Sequence, residues 1–141
     1  AINSNLNYKM GVERFYTIYK LGSTWYKGKP VYSVGLGVGS LLSLADRHSI
    51  SADLSVNHIV YNDDWSSDDN CLAKLDLNYR FALSEHVSLL AGPSFNYYYS
   101  EVQVDDSFGT LHIPFDARGT INENSREWCW IGFNIGLAYR F

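Results

Sequence analysis

Charged residues at alternate positions are the feature of this sequence most capable of chemistry. Lys74, Asp76 and Arg80 share one parity within a run whose other parity is apolar, and Asp53 stands in a similar run. Because side chains two residues apart point to the same face of a β-strand, these charges are expected on one face of a sheet. The predicted polar network on that face comprises Glu13, Asp53, Lys74, Asp76, Arg80 and Arg140, with Lys9 beside it.

The partners within this network depend on the register of two neighbouring strands. If Tyr61 pairs near Leu72, Asp53 is expected opposite Arg80, as a cross-strand ion pair. Two interpretations are open: the charges neutralise one another and fill a narrow interior, or they line a channel that selects its solutes. A small closed sheet is nearly filled by its own side chains, which favours the first interpretation.

The residue types of catalytic and metal sites are present without the spacing that such sites need. No nucleophile-elbow motif surrounds a serine, and Ser55 and His58 differ in parity, so they are expected on opposite faces of a strand. The acidic runs do not match the EF-hand spacing of calcium ligands. We therefore predict no catalytic residue, no cofactor and no metal site. The residues weighed for these roles are His48, His58, His86, His112, Asp63, Asp64, Asp68, Asp69, Asp105 and Asp106.

Alternation of apolar and polar residues predicts six β-strands. The clearest is the last, in which Ile131, Phe133 and Ile135 alternate with small or polar residues. In the second strand, glycines at 35, 37 and 39 form the polar face and are expected to leave room for large side chains from the opposite wall. The predicted strands are 8–20, 31–41, 49–61, 72–82, 87–99 and 128–141.

The connections between these strands alternate in length. Those at 42–48 and 83–86 are short, and those at 21–30, 62–70 and 100–127 are long. Short turns at one end and long loops at the other are typical of outer-membrane barrels, and six strands would put Ala1 and Phe141 together at the short, periplasmic end. Aromatic girdles are expected at both rims, from Tyr19, Trp25, Tyr32, Tyr61, Trp65, Tyr97, Tyr99, Trp128 and Trp130 at the long-loop rim and Tyr79, Phe81, Tyr139 and Phe141 at the other.

Composition limits the class of protein further. The chain has 141 residues, which suits a single domain over 1–141, and it is 46% hydrophobic, 16% aromatic and 18% charged. It lacks an apolar run of the roughly 18 residues that a membrane helix needs, so any membrane span would consist of strands. A net charge of -4 argues against a nucleic-acid partner. A secretory signal, if one existed, is expected to have been removed before Ala1.

The last strand ends in Tyr139-Arg140-Phe141 and resembles the closing strand of bacterial outer-membrane β-barrels. Segments 75–81 and 88–95, together with 131–137 in the last strand, resemble the outer-membrane β-barrel domains common in Bacteroidota. The resemblance covers about the second half of the chain. The resemblance implies a location in the outer membrane of a Gram-negative bacterium, contact with its lipid, and recognition of Tyr139 and Phe141 by the barrel assembly machinery. It implies no reaction.

Six strands are fewer than the eight with which single-chain barrels begin. Either a hairpin is hidden in 1–6 or 100–127, or the chain is the C-terminal part of a larger barrel completed by an N-terminal segment or by other chains. The predicted fold is an all-β, antiparallel, up-and-down transmembrane barrel of six to eight strands. A disulfide between Cys71 and Cys129 is not favoured, because one strand between theirs would separate their α-carbons by about 10 Å, beyond the roughly 7 Å limit.

The function expected from these observations is that of a non-enzymatic structural or accessory barrel whose extracellular loops contact a partner protein or a ligand. Three alternatives remain: a small pore for ions or solutes, an outer-membrane enzyme that modifies lipid, and a soluble barrel with its apolar face turned inward around a ligand.

Overall fold

The computed structural model of the chain describes residues 4–12, 14–61, 69–104, 107–109, 111, 113–114 and 116–139. These residues form ten β-strands. They are β1 (Ser4–Gly11), β2 (Phe15–Tyr26), β3 (Lys29–Ala45), β4 (His48–Tyr61), β5 (Asn70–Ala82), β6 (Val87–Ser100), β7 (Gln103–Val104), β8 (Ser107–Phe108), β9 (Arg118–Ile121) and β10 (Arg126–Tyr139).

Eight of the strands form one antiparallel sheet, in the order β1-β2-β3-β4-β5-β6-β10-β9. From β1 to β6, neighbours in the sheet are also neighbours in the sequence, so this part is an up-and-down meander. β7 and β8 form a separate two-stranded sheet. The predicted all-β, antiparallel, up-and-down architecture is confirmed. Within the described ranges there is no helix long and apolar enough to cross a bilayer.

The segment predicted as one strand, 8–20, contains the turn of a hairpin. β1 ends at Gly11 and β2 begins at Phe15, with Met10 opposite Thr17. An unbroken strand over 8–20 would place Met10 and Ile18 on one face, but the alternation restarts with the other parity after this turn and puts them on opposite faces. Ile18 is fully buried, whereas Met10 is exposed. This hairpin and the short β9 raise the sheet from the six predicted strands to eight.

The segment 21–30, predicted as a loop, is a second hairpin. β2 continues to Tyr26 and β3 begins at Lys29. Between them Lys27 has a φ of 49° and Gly28 a φ of 78°. A two-residue turn with both central residues in the left-handed region matches the right-handed twist of the flanking strands. The loop prediction is wrong because the Lys-Gly pair alone forms the turn, and the other glycine, serine and proline residues lie in strands.

The connections still differ in length between the two ends of the sheet. The links at 12–14, 46–47 and 83–86 lie at one end, which we call the short-link end. The links at 27–28, 62–69 and 101–125 lie at the other, the long-link end, although the first of these is a two-residue turn. The asymmetry therefore rests on two long connections rather than the predicted three.

The described chain starts and stops at opposite ends of the sheet. Ser4 pairs with Ser23 near the long-link end, whereas Tyr139 pairs with Val87 at the short-link end. Ala1 and Phe141, predicted to lie together at the short-link end, are outside the described residues, so this difference concerns only the described strands. Seven of them are long, and an odd number of alternating strands leaves the first and last running in the same direction.

The two faces of the sheet have the reverse of the usual distribution of polarity. The outer face carries apolar side chains that are largely exposed, including Phe133 at 72% and Ile135 at 75%. The inner face carries polar side chains that are buried, including Asp53 at 4% and Asp76 at 6%. A protein folded in water normally buries the first kind and exposes the second.

Aromatic side chains form only part of the predicted girdles. At the long-link end, Trp25 and Tyr32 are exposed on the outer face. At the other end, Tyr79 and Tyr139 are exposed in the same way. Tyr61 and Trp130 do not belong to the girdle, because they pack against buried residues of the inner face. Trp65 and Phe141 lie outside the described residues.

An apolar cluster covers the inner face at the long-link end. Tyr98 is fully buried there, and its hydroxyl donates to Oδ1 of Asn70 at 2.7 Å. Leu111 reaches the cluster from the connection between β6 and β10, which therefore folds back over the inner face. We call this cluster the apolar cap. It comprises Val31, Ile59, Tyr98 and Leu111, with Tyr26, Tyr61, Leu72, Ile113 and Trp130 packed against them.

Candidate functional site

Two carboxylates face each other across β4 and β5 on the inner face. Asp53 lies opposite Asp76, and Arg80 lies opposite Ser49. The predicted pairing of Asp53 with Arg80 is therefore wrong. The strands pair Asn57, rather than Tyr61, with Leu72. A shift by an even number of residues keeps every side chain on its predicted face, but it changes the partner.

Lysines from three strands neutralise this carboxylate pair. Lys9 Nζ lies 2.5 Å from Asp53 Oδ2. Lys20 Nζ lies 3.1 Å from Asp76 Oδ2, and Lys74 Nζ lies 3.1 Å from Asp76 Oδ1. Like charges directly opposite one another destabilise a sheet. The lysine ammonium groups therefore allow the two aspartates to form a cross-strand pair.

Two neutral side chains complete the hydrogen bonding of the carboxylates. Tyr16 donates its hydroxyl to Asp53. Asn134 donates from Nδ2 to Asp76 at 2.7 Å and accepts at Oδ1 from Lys74 at 2.9 Å. We call the resulting set the polar cluster, and it consists of Lys9, Tyr16, Lys20, Asp53, Lys74, Asp76 and Asn134.

The ion pairs of the polar cluster require a strongly curved sheet. Lys9 is on β1 and Asp53 on β4, and strands three positions apart would be about 14 Å apart in a flat sheet. Lys20 on β2 reaches Asp76 on β5 over the same number of strands. The hydrogen bond from Asn134 on β10 to Asp76 on β5 crosses β6, a distance of two strand positions. The cluster therefore holds β1, β2 and β10 around the inner face.

The predicted network residues fall into three groups. Asp53, Lys74 and Asp76 lie in the polar cluster. Arg80 lines the same cavity but makes no ion pair with a carboxylate in the described part of the chain. Glu13 and Arg140 lie outside the described residues, as does Phe141, while Tyr139 ends β10 on the outer face, 63% exposed. The assembly role of Tyr139 and Phe141 stays a prediction.

Sequence reasoning missed Lys20 and Tyr16 as members of the cluster. Both lie on β2, whose parity was taken from the preceding residues without the turn at 12–14. The signal for that turn was Arg14, which broke the apolar face of the predicted strand. Starting the alternation again after Arg14 would have placed Tyr16 and Lys20 on the inner face with Ile18.

The glycines of β3 make room for side chains of the adjacent strands. A Cβ added to Gly39 would collide with the Tyr16 ring and with Oδ1 of Asp53, and one added to Gly35 would collide with Asn57. These groups come from β2 and β4, on either side of β3. This space was predicted to hold large side chains from the opposite wall of the barrel. That prediction is wrong, because side chains of the adjacent strands β2 and β4 fill the space.

Replacement of Gly39 by alanine is expected to destabilise the protein by about 1 to 3 kcal/mol, the usual cost of overpacking a closely packed site. The added methyl group must displace Tyr16 or Asp53. The measurement is the urea midpoint of unfolding in detergent micelles. Gly136→Ala is the matched control, because its methyl group would meet only the end of the flexible Leu90 side chain at 3.3 Å. Equal midpoints for the two variants would contradict a packing role for Gly39.

The groups considered for catalysis are not brought together. Ser55 is buried on the inner face, whereas His58 has the opposite parity on β4, as predicted. Within the described ranges no three histidine, cysteine, aspartate or glutamate side chains are close enough to hold a metal ion. His112, the acidic residues at 63, 64 and 68, and those at 105 and 106 lie outside these ranges. Cys71 and Cys129 are free thiols, on strands separated by β6.

Comparison with known proteins gives no match: neither a protein-family model, nor a curated protein, nor a solved structure resembles the chain significantly.

Proposed function

We propose that the protein is a non-enzymatic β-barrel protein of the bacterial outer membrane. In this proposal the curved sheet crosses the bilayer, the outer face contacts lipid, and the connections at the long-link end contact a partner protein or a ligand outside the cell. Barrel assembly machinery would recognise the C-terminal strand.

The observation that carries the proposal is the exposed apolar outer face. On β10 alone, Ile131, Phe133, Ile135 and Leu137 are each more than 60% exposed. Soluble monomers rarely expose continuous apolar patches larger than a few hundred Å². Burial of such surface is favourable by about 25 cal/mol per Å², and lipid would supply that burial.

Strand length and interior polarity support the same proposal. β2 to β6 and β10 have 12 to 17 residues. A tilted strand needs roughly 9 to 11 residues to cross a bilayer. The polar cluster satisfies its charges within the sheet, which is the condition for keeping them inside a narrow barrel.

The apolar cap favours a structural or accessory barrel over a pore. Tyr98 and Leu111 lie across the inner face at the long-link end, where an open channel would need a polar passage. The two long connections join strands at this same end. This arrangement suits a barrel that presents its loops better than one that conducts solutes.

Labelling of single cysteines tests the membrane orientation. Cys71 and Cys129 are replaced by serine, and one cysteine is placed either at Leu137 on the outer face or at Gly136 on the inner face. The protein in outer-membrane vesicles is then treated with a lipid-soluble maleimide or with a charged, membrane-impermeant one. We expect the cysteine at Leu137 to react only with the lipid-soluble reagent, because its neighbours would be acyl chains.

The adjacent position, Gly136, is the matched control, since it differs only in the face to which it points. Reaction of the cysteine at Leu137 with the impermeant reagent, in a protein that stays in solution without detergent, would contradict the proposal. The soluble ligand-binding barrel would then be the better interpretation.

A further inference from the structure

Two strand edges of the sheet have no partner strand in the described part of the chain. β1 pairs only with β2. β10 pairs with β6 along its whole length, but on its other side β9 covers only Arg126 to Cys129. The segment 130–139 therefore has one edge without a partner strand among the described residues. In lipid, each backbone group left without a hydrogen bond costs several kcal/mol.

The lining of a cavity of about 2270 Å³ indicates a gap between these two edges. On β4 and β5 the cavity is lined almost wholly by inner-face residues such as Asp53, Asn57 and Asp76. On β1 it is lined by every residue from Asn5 to Gly11, and on β10 by every residue from Trp130 to Tyr139. Both faces of these strands border the cavity because it passes between them from the inside of the sheet to the outside.

The direction of the strands defines what fits this gap. Successive long strands alternate in direction, so the first, β1, and the seventh, β10, run the same way. Direct pairing of the two would be parallel. One additional strand that runs from the short-link end to the long-link end would be antiparallel to both. It would also give an even number of long strands, as in bacterial single-chain barrels.

β9 shows that β10 accepts a strand in this direction. β9 is antiparallel to β10 and occupies the position beside its first four residues, with Cys129 opposite Arg118. An additional strand would continue the same ladder along the segment 130–139. Ten residues of open edge match the roughly 9 to 11 residues with which a strand crosses a bilayer.

A second copy of the chain does not fit the gap. Two copies with the same orientation in a membrane would bring β1 of one against β10 of the other, and these strands would be parallel. Antiparallel pairing of β1 with its own copy would need the two copies to be inserted in opposite directions. A single strand from the same polypeptide avoids both difficulties.

We propose that the gap is filled by an eighth long strand, formed by the polypeptide immediately upstream of Ser4. A strand that runs toward the long-link end would stop where β1 begins, so a short turn would be enough to join the two. This continues the meander, in which β1 to β6 each pair with their neighbours in sequence. The strand is expected to place apolar side chains outward and small or polar ones inward. The proposal rests on the proposed function, because lipid is what makes an open edge so costly.

Photo-crosslinking in the full-length polypeptide identifies the occupant of the gap. Benzoylphenylalanine is introduced at Met10 on β1 or at Ile135 on β10, both outward-facing and exposed. After irradiation of outer-membrane vesicles, crosslinked peptides are identified by mass spectrometry. We expect both positions to crosslink within one molecule to the same short segment upstream of Ser4. Leu54 on β4 is the control, and the only protein segments to which it should crosslink are the flanking β3 and β5.

Other results would overturn the proposal. A crosslink between Met10 and β10 would mean that seven long strands close directly. A crosslink to a second copy or to another protein would name a different occupant. Capture of lipid alone at both positions, with the Leu54 control intact, would mean that the edges stay open. If the cysteine at Leu137 reacts as in a soluble protein but Met10 and Ile135 still crosslink to the upstream segment, the membrane proposal is wrong and the eighth strand stands.

Discussion

Replacement of Ile135 by arginine is expected to destabilise the membrane-inserted protein by about 2 to 4 kcal/mol, the cost of a lipid-facing cation near the bilayer midplane. Ile135 is 75% exposed and lies near the middle of the segment of β10 that would cross the bilayer under the proposed function. In water the same substitution would cost little, because the side chain is already exposed. The measurement is urea unfolding of the protein refolded into lipid vesicles.

The control is the same substitution at a different depth in the proposed membrane. Ser23→Arg places the same charge on the outer face of β2, three residues before the strand ends at Tyr26. Near the membrane interface the expected cost is about 0 to 1 kcal/mol. Equal and small effects of the two substitutions, or better solubility of the Ile135 variant without detergent, would argue that the outer face meets water.

Replacement of Asp76 by alanine is expected to destabilise the protein by about 3 kcal/mol. Breaking a buried ion pair costs roughly 3 to 5 kcal/mol, and the lower value applies here because Lys20, Lys74 and Asp76 border the cavity and are not fully enclosed by protein atoms. Asp76 binds Lys20 and Lys74 and accepts from Asn134. Its loss leaves the ammonium groups of Lys20 and Lys74 without their carboxylate. It also removes the contacts of Asp76 that join β2 and β10 to β5.

The urea midpoint of Asp76→Ala in detergent micelles should be compared with that of Asp46→Ala. Asp46 is an exposed residue in the turn between β3 and β4, so its loss should change stability by less than about 0.5 kcal/mol. An Asp76 variant as stable as the Asp46 variant would show that the polar cluster does not hold the sheet in its curved form.

The alternation of apolar and polar residues was sufficient to predict the architecture and the face to which most side chains point. β10 alternates from Trp128 to Tyr139 and β5 alternates from Lys74 to Phe81, so the outer and inner residues of these segments follow directly from parity. β2 was misassigned because the reversal at 12–14 contains neither glycine nor proline and interrupts a pattern that resumes at once. A turn marked only by a change of parity is easily taken for an irregular strand.

The sequence by itself determined an all-β meander with one apolar and one polar face, and it placed Asp53, Lys74 and Asp76 on the polar face. Both depend on the two-residue period of a strand, which is a local property. Only the tertiary structure decided that Asp53 faces Asp76 instead of Arg80, because register depends on where each turn lies. It also decided that lysines from β1 and β2 neutralise this pair. Such contacts join residues 44 and 56 positions apart, and only the curvature of the whole sheet brings them together.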